Sequence, residues 1–318
     1  MFLLLDLIFN PKLVNGTFTK EDVETQKRLL VEKIDSEFSE KRIYALGRAE
    51  EEMCKNELYA TKRYGKRERI LSLTAEDVTK AWKEMIEKSI IQINVIGSNA
   101  GDNICKEIEK RFENIDRNNL CEIKTEFVVS ASEENYVSQK QSVKQGKLVI
   151  GLRAGMTDKD DNNYAIHVMT DIFGGGPYSK LFMNVREKMS LCYYCSAMMF
   201  RQKGVMLVQS GIESYNEEKA KNAILAQLED IRNGNFSDDD IASSVKSLED
   251  GFRSVSDSAE SVAAWFTSQV CSDKFLYPED FIEQFKNVTR EDIIEVAKAV
   301  TLDTVFMLEG TMEGGVEE

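Results

Sequence analysis

Leu73-Thr74-Ala75-Glu76-Asp77-Val78 recurs 215 residues later as Val288-Thr289-Arg290-Glu291-Asp292-Ile293, and this repetition decides the fold. A second pair stands at nearly the same spacing: Asn15-Gly16-Thr17-Phe18-Thr19-Lys20-Glu21-Asp22-Val23 returns 218 residues on as Asn233-Gly234-Asn235-Phe236-Ser237-Asp238-Asp239-Asp240-Ile241. At all four places a Ser or Thr is followed three residues later by Asp. That is the pattern of a capping box, in which the hydroxyl accepts from an early helix amide while the carboxylate reaches back, so four helix starts are expected. The copies at Thr74 and Thr289 each run through a short amphipathic helix into an apolar, β-branched stretch ending in glycine, Ile90–Gly97 and Asp303–Gly310. Both stretches read as strands.

Working outward, the second copy has a long front section. Lys147–Arg153 reads as a strand, a helix runs from about Asp160, and Gly174-Gly175-Gly176-Pro177 breaks it before a second helix over Tyr178–Lys188. Leu191–Phe200 and Val205–Gly211 then form a β-hairpin across the polar Arg201–Gly204. The glycine run does not follow a strand directly and lacks the spacing of a phosphate loop. The expected class is α/β, an α+β two-layer sandwich. It has two homologous domains, each a mainly antiparallel sheet covered by helices mostly on one face. Boundaries are expected at 1–120 for a partial first domain, 121–146 for a linker and 147–318 for a complete second domain. Only fourteen residues precede Asn15, so the first domain is expected to lack roughly seventy residues if the halves were once equal.

Composition narrows the chemistry. The 318 residues carry 55 acidic against 41 basic side chains, a net charge of −14, which disfavours nucleic acid and anionic membrane surfaces and suits basic or neutral partners. The apolar start, Met1–Phe9, is too short to span a bilayer and is read as a buried helix stopped by Asn10-Pro11. Six scattered cysteines fit a reducing, cytoplasmic setting. Cys192 and Cys195 form a C-x-x-C, but alternation along a strand sends them to opposite faces and no helix N-terminus activates them, so no redox role is expected. The acid-rich runs Glu50–Glu52 and Asp238–Asp240 read as solvated helix faces or caps.

His167 is the single histidine of the chain. A helical zinc-peptidase motif, H-E-x-x-H or its inversion H-x-x-E-H, needs two imidazoles one turn apart, and this chain makes neither. Thr170 and Asp171 stand three and four residues beyond His167, and His167 is read as a packing residue.

The segment from Gly174 through Tyr178-Ser179-Lys180-Leu181-Phe182-Met183-Asn184-Val185-Arg186-Glu187-Lys188 to Leu191-Cys192-Tyr193 resembles the second domain of the insulinase/pitrilysin family of zinc metallopeptidases, the inverzincin type. Phe9–Phe18, Tyr44-Ala45 and Gly65–Gly97 resemble the later part of that family's first domain. The likeness is particularly to the non-catalytic bacterial subgroup linked to elongation-factor-P modification. It implies two α/β domains that close on a peptide, a zinc site in the first, and an Arg and a Tyr of the second that contact substrate. Those two match Arg186 and Tyr193 by position. A guanidinium clamps a peptide carbonyl and a phenol donates to an oxygen, so the roles are chemically sound, although a solvated helix-end arginine and a sheet-paired tyrosine are the bland alternative. The zinc-bearing segment is absent, and Ser190 replaces the glycine usual before Leu-x-Tyr.

The expectation is a pseudopeptidase, not an enzyme by itself, with no catalytic residue, no metal ligand and no cofactor of its own. Arg186 and Tyr193 are its candidate substrate-binding residues. It binds peptide or protein, or supports a homologous zinc-bearing subunit, as a homodimer or heteromer, because a sheet missing strands leaves an unpaired edge. The alternatives are a zinc endopeptidase whose metal-binding half is missing from the chain or supplied in trans, and a structural subunit without ligand.

Overall fold

The structure is a computed structural model that describes residues 2–98, 101–123, 126–270 and 275–310. Its chain packs into two compact units. Helices and strands are numbered below along the chain.

The first unit comprises Met1–Ser39, Thr61–Lys124 and Ser258–Val270. It is helical: α1 Phe2–Phe9, α2 Lys20–Ser39, α4 Arg67–Ser72, α5 Ala75–Lys88, α6 Asp102–Phe112 and α10 Ala259–Thr267. The capping box at Thr74 forms as expected, with Thr74 accepting from the Asp77 amide and Asp77 accepting from the Thr74 amide. At Thr19 the hydroxyl likewise accepts from the Asp22 amide at 3.1 Å. Side chains of α5 then fasten its neighbours: Thr79 accepts from the Phe18 amide at 3.0 Å, and the Trp82 indole donates to the Ile8 carbonyl at 2.8 Å.

Two expectations fail in this unit. Met1–Phe9 reads as the end of a buried helix; α1 is a helix, but among its described side chains only Leu5 is buried, while Leu3, Leu4 and Leu7 are 73%, 60% and 63% exposed. Eight residues make two turns, so one contact stripe covers few of its apolar side chains. Ile90–Gly97 was read as a strand and forms none. Its sequence favours strand geometry, yet a strand exists only through the ladder it shares, and no described residue pairs with it.

The second unit comprises Glu40–Ala60, Thr125–Asp257 and Cys271–Glu318. Its helices are α3 Lys41–Met53, α7 Asn163–Gly174, α8 Glu217–Arg232, α9 Asp238–Arg253, α11 Pro278–Phe285 and α12 Arg290–Ala299. Its strands are β1 Asn135–Gln141, β2 Gly146–Arg153, β3 Tyr194–Phe200, β4 Val205–Ile212 and β5 Thr301–Gly310, in the order β1-β5-β2-β4-β3. β1 pairs with β5 in parallel and the other pairings are antiparallel, as the class requires. The expected hairpin is β3–β4, turned through Gly204 at a left-handed φ of 66°. Capping boxes at Ser237 and Thr289 start α9 and α12.

The units do not follow the expected boundaries. Residues 121–146, read as linker, supply β1, and Glu40–Ala60 packs with the second unit rather than the first. The reason is visible in α3. Ala45 and Ala49, 1% and 0% exposed, bring the helix close to Val149, Leu207, Phe306 and Leu308 of the sheet. Gly151 leaves the space that Met53 fills. The opposite face meets α7, where Gly174 lies against Ala197 so closely that a Cβ there would collide with the Ala197 amide. Every residue of β4 is buried in consequence.

A buried ion network fastens the end of α3. Arg153, 2% exposed, donates from Nε to Asp303 Oδ2 and from Nη2 to Glu57 Oε1, both at 2.7 Å, and to the Met53 carbonyl at 3.0 Å. Lys203 pairs with the same Glu57 and donates to the Glu126 carbonyl. Two cations thus meet two carboxylates, the balance that buried charge demands.

Candidate functional site

The segment between α7 and β3 carries the candidate residues. After Gly174 the chain turns through Tyr178, whose hydroxyl bonds to Asp171, and enters a π-helix over Leu181–Lys188. The wide turn is explicit where the Met189 amide donates to the Asn184 carbonyl, five residues back, at 2.9 Å. Helical spacing turns Leu181, Phe182 and Val185 inward; Leu181 and Val185 are fully buried while Phe182 is half-buried, and Arg186 lies in the last turn, where a cation complements the exposed carbonyls. Ser190 then adopts a left-handed φ of 50°. Glycine adopts that conformation without steric cost, so the serine carries local strain at the entry to β3.

Arg186 is half-exposed, with its guanidinium 4.5 Å from the centre of the Phe182 ring and 3.4 Å from Glu187. Tyr193, 58% exposed, sits just before β3, and its hydroxyl donates to Glu213 Oε1 at 2.6 Å. That bond to a carboxylate raises the Tyr193 pKa, since the phenolate would face a negative oxygen. Each candidate therefore holds a partner of its own. Among the described residues neither hydrogen bond nor ion pair joins Arg186 to Tyr193. The Arg186 charge does reach Cys192, the residue preceding Tyr193. Glu213 was missed in the sequence: the hairpin register pairs Tyr194, the start of β3, with Gly211, and Glu213 lies two residues beyond it, past the end of β4.

β3 is an edge of the sheet, and among the described residues the only strand it pairs with is β4. Its residues are half-buried apart from Cys195. The outer main chain of β3 is therefore a row of donors and acceptors beside Tyr193.

His167 lies among aromatic rings, with centroids of Phe252, Phe281 and Phe285 at 6.2, 6.2 and 5.6 Å. Burial drives its pKa down to about 3, and Nε2 has no hydrogen-bond partner among the described residues. Thr170 bonds back to the Ile166 carbonyl at 2.7 Å and Asp171 accepts from Tyr178, so the helix that would correspond to a metal-binding one is built for packing. This donor set does not fit zinc. Among the described residues no group of three His, Cys, Asp or Glu side chains gathers to hold a metal. Nor is any described helix long and apolar enough to cross a membrane.

Comparison with known proteins adds family to geometry. The profile of the peptidase M16 inactive domain matches residues 72–248. The probable inactive metalloprotease YmfF of Bacillus subtilis (strain 168) is 34% identical over 309 residues, 97% of this chain and 72% of its own length. Among solved structures, a conserved protein from Enterococcus faecalis V583 superposes with a TM-score of 0.84 at 25% identity, covering 98% of this chain and 74% of that one. A peptidase M16 inactive domain from Pseudomonas fluorescens superposes with a TM-score of 0.74 at 13% identity, covering 93% and 72%, and speaks to the fold alone.

Proposed function

Because the chain belongs to the peptidase M16 family, with the profile of the inactive domain spanning more than half its length, we propose that it is a pseudopeptidase that grips peptide or protein without cutting it. The observation that carries the reading is the open edge of β3 beside Tyr193 and Arg186, in a chain whose sole histidine is sheathed in phenylalanine. An extended peptide adds to such an edge through main-chain hydrogen bonds. Tyr193 then exchanges Glu213 for a peptide oxygen, and the Arg186 guanidinium takes a carbonyl or the peptide's C-terminal carboxylate. The net charge of −14 favours basic or neutral peptides.

Fluorescence anisotropy with labelled basic peptides tests this. Arg186→Ala and Tyr193→Phe each remove a hydrogen bond worth about 1–2 kcal/mol, a loss of roughly 5- to 30-fold in affinity. Affinity unchanged in both variants would favour a structural subunit instead. The wild-type chain leaves the peptides intact whether zinc or a chelator is added.

A second reading, association with another subunit, rests on the unpaired stretch Ile90–Gly97, where Ile90, Ile93 and Val95 are 49%, 42% and 40% exposed. Sedimentation should show a dimer, or a heteromer with a zinc-bearing homologue; a monodisperse monomer at high concentration in both mixtures would refute it. A cytoplasmic location goes with both readings.

A further inference from the structure

Alternation along a strand would send Cys192 and Cys195 to opposite faces, but the start of β3 is not regular. Tyr194 stands opposite Gly211 and Cys195 opposite Ser210. One residue earlier, the Tyr193 amide donates to the carbonyl of that same Gly211 at 2.8 Å. Two residues thus oppose one, which is a β-bulge, and the extra residue returns Cys192 to the face of Cys195. Both thiols are buried, at 9% and 5% exposure, while Tyr193 between them is 58% exposed. The two thiols are close enough to influence each other's ionisation, and beside them the Ser210 hydroxyl, 1% exposed, has no hydrogen-bond partner among the described residues.

We propose that Cys192 and Cys195 are an oxidation site, a dithiol that hydrogen peroxide converts into an intramolecular disulfide. The Cys192 thiolate attacks the peroxide O–O bond, giving a sulfenic acid and releasing hydroxide. The Cys195 thiol displaces the sulfenic oxygen, which leaves as water while the S–S bond forms. Two thiols and one peroxide become one disulfide and two waters, with one electron lost from each sulfur.

The surroundings assign the order of attack. Cys192 accepts from the Cys195 S–H and feels the Arg186 charge, and its thiol is held below the ordinary range, whereas Cys195, the donor and more deeply buried, is held well above it. Burial and the nearby Glu57 charge push the Cys54 thiol up to about 11. Cys105 and Cys121 are exposed. Closing the disulfide draws the bulge together and displaces Tyr193 relative to Glu213. That last consequence, a change in peptide affinity, rests on the peptide-binding reading; the oxidation does not.

Trypsin releases both cysteines, with no other, in the peptide 189–201 between Lys188 and Arg201. Full-length protein treated with hydrogen peroxide, blocked with iodoacetamide, digested and weighed should show this peptide unlabelled and about 2 Da lighter once additions of about 16 Da at Met189, Met198 and Met199 are assigned, with dithiothreitol restoring two labels. Cys192→Ser and Cys195→Ser should each abolish the 2 Da loss. The proposal fails if both cysteines stay alkylatable while Cys105 and Cys121 oxidise, if fragmentation places added oxygen on Cys192 or Cys195 without the loss of hydrogen, or if the peptide cross-links to another chain. These outcomes are read on wild-type protein and do not depend on the variants folding. If the disulfide forms and peptide affinity does not move, the coupling to Tyr193 is wrong and the oxidation site stands. If no peptide binds in either redox state, the binding reading fails, again without bearing on the 2 Da shift.

Discussion

Residues 73–97 and 288–310 begin alike and end differently. Both open on a capping box, at Thr74 and Thr289, with the same reciprocal bonds to Asp77 and Asp292. Both run on through a helix to an apolar stretch closed by glycine. In the second case that stretch is β5, bonded on one side to β1 and on the other to β2, with Val305 through Leu308 buried. In the first it joins no strand, and its apolar side chains are more than a third exposed. A helix start is written within four residues; a strand is not written anywhere until its neighbours are present.

The comparison can be broken most sharply two residues before each closing glycine. Leu308→Ala removes a fully buried side chain from the middle of the sheet and should cost about 2–5 kcal/mol in urea unfolding. Its counterpart Val95→Ala should change stability by no more than about 0.5 kcal/mol. Equal costs would mean that Ile90–Gly97 is packed in solution.

A smaller difference concerns acid. The second unit contains the chain's one histidine, whose pKa of about 3 lies below the unfolded value. Above pH 6.5 both states leave His167 neutral and it adds nothing. As pH falls from about 6.5 toward 3 the unfolded chain takes up a proton that the folded one refuses, so stability declines across that window, by an amount on the order of a few kcal/mol. His167→Phe, which keeps the ring among Phe252, Phe281 and Phe285, should move the acid midpoint to lower pH in circular dichroism. An unchanged midpoint would place the acid lability elsewhere.

The smallest effect sharpens what is shared. Thr74→Ala and Thr289→Ala each delete the same cap and should each cost about 1 kcal/mol despite their different surroundings. A large inequality in thermal unfolding would show that tertiary packing, not the local bond, holds one of them.

The same division runs through the candidate site. Leu181 and Val185 were legible as inward positions because helical spacing encodes them, whereas Phe182, read inward with them, is only half-buried, and the hairpin was legible because two largely apolar runs flank a polar turn with Gly204. The strain at Ser190 could be anticipated only as a misfit, a serine where glycine is usual. Glu213 and the pairing of Cys192 with Cys195 were not legible. Each depends on one amide, that of Tyr193, choosing Gly211, and such a bulge has no signature in the residues it displaces. The placement of α3 against the sheet was hidden too, since Ala45 and Ala49 announce a close approach without saying to what.

By itself the sequence determined the α/β class, the capped helix starts, the hairpin and the want of a second imidazole, because short-range bonds, periodicity and bare counting need no partner to be read. Tertiary structure alone decided that Ile90–Gly97 pairs with no strand among the described residues, that Arg153 and Lys203 share Glu57 under α3, and that two thiols meet beside Tyr193. Those outcomes rest on hydrogen bonds and contacts between residues far apart in the chain, which become energetically favourable only once the intervening chain has folded.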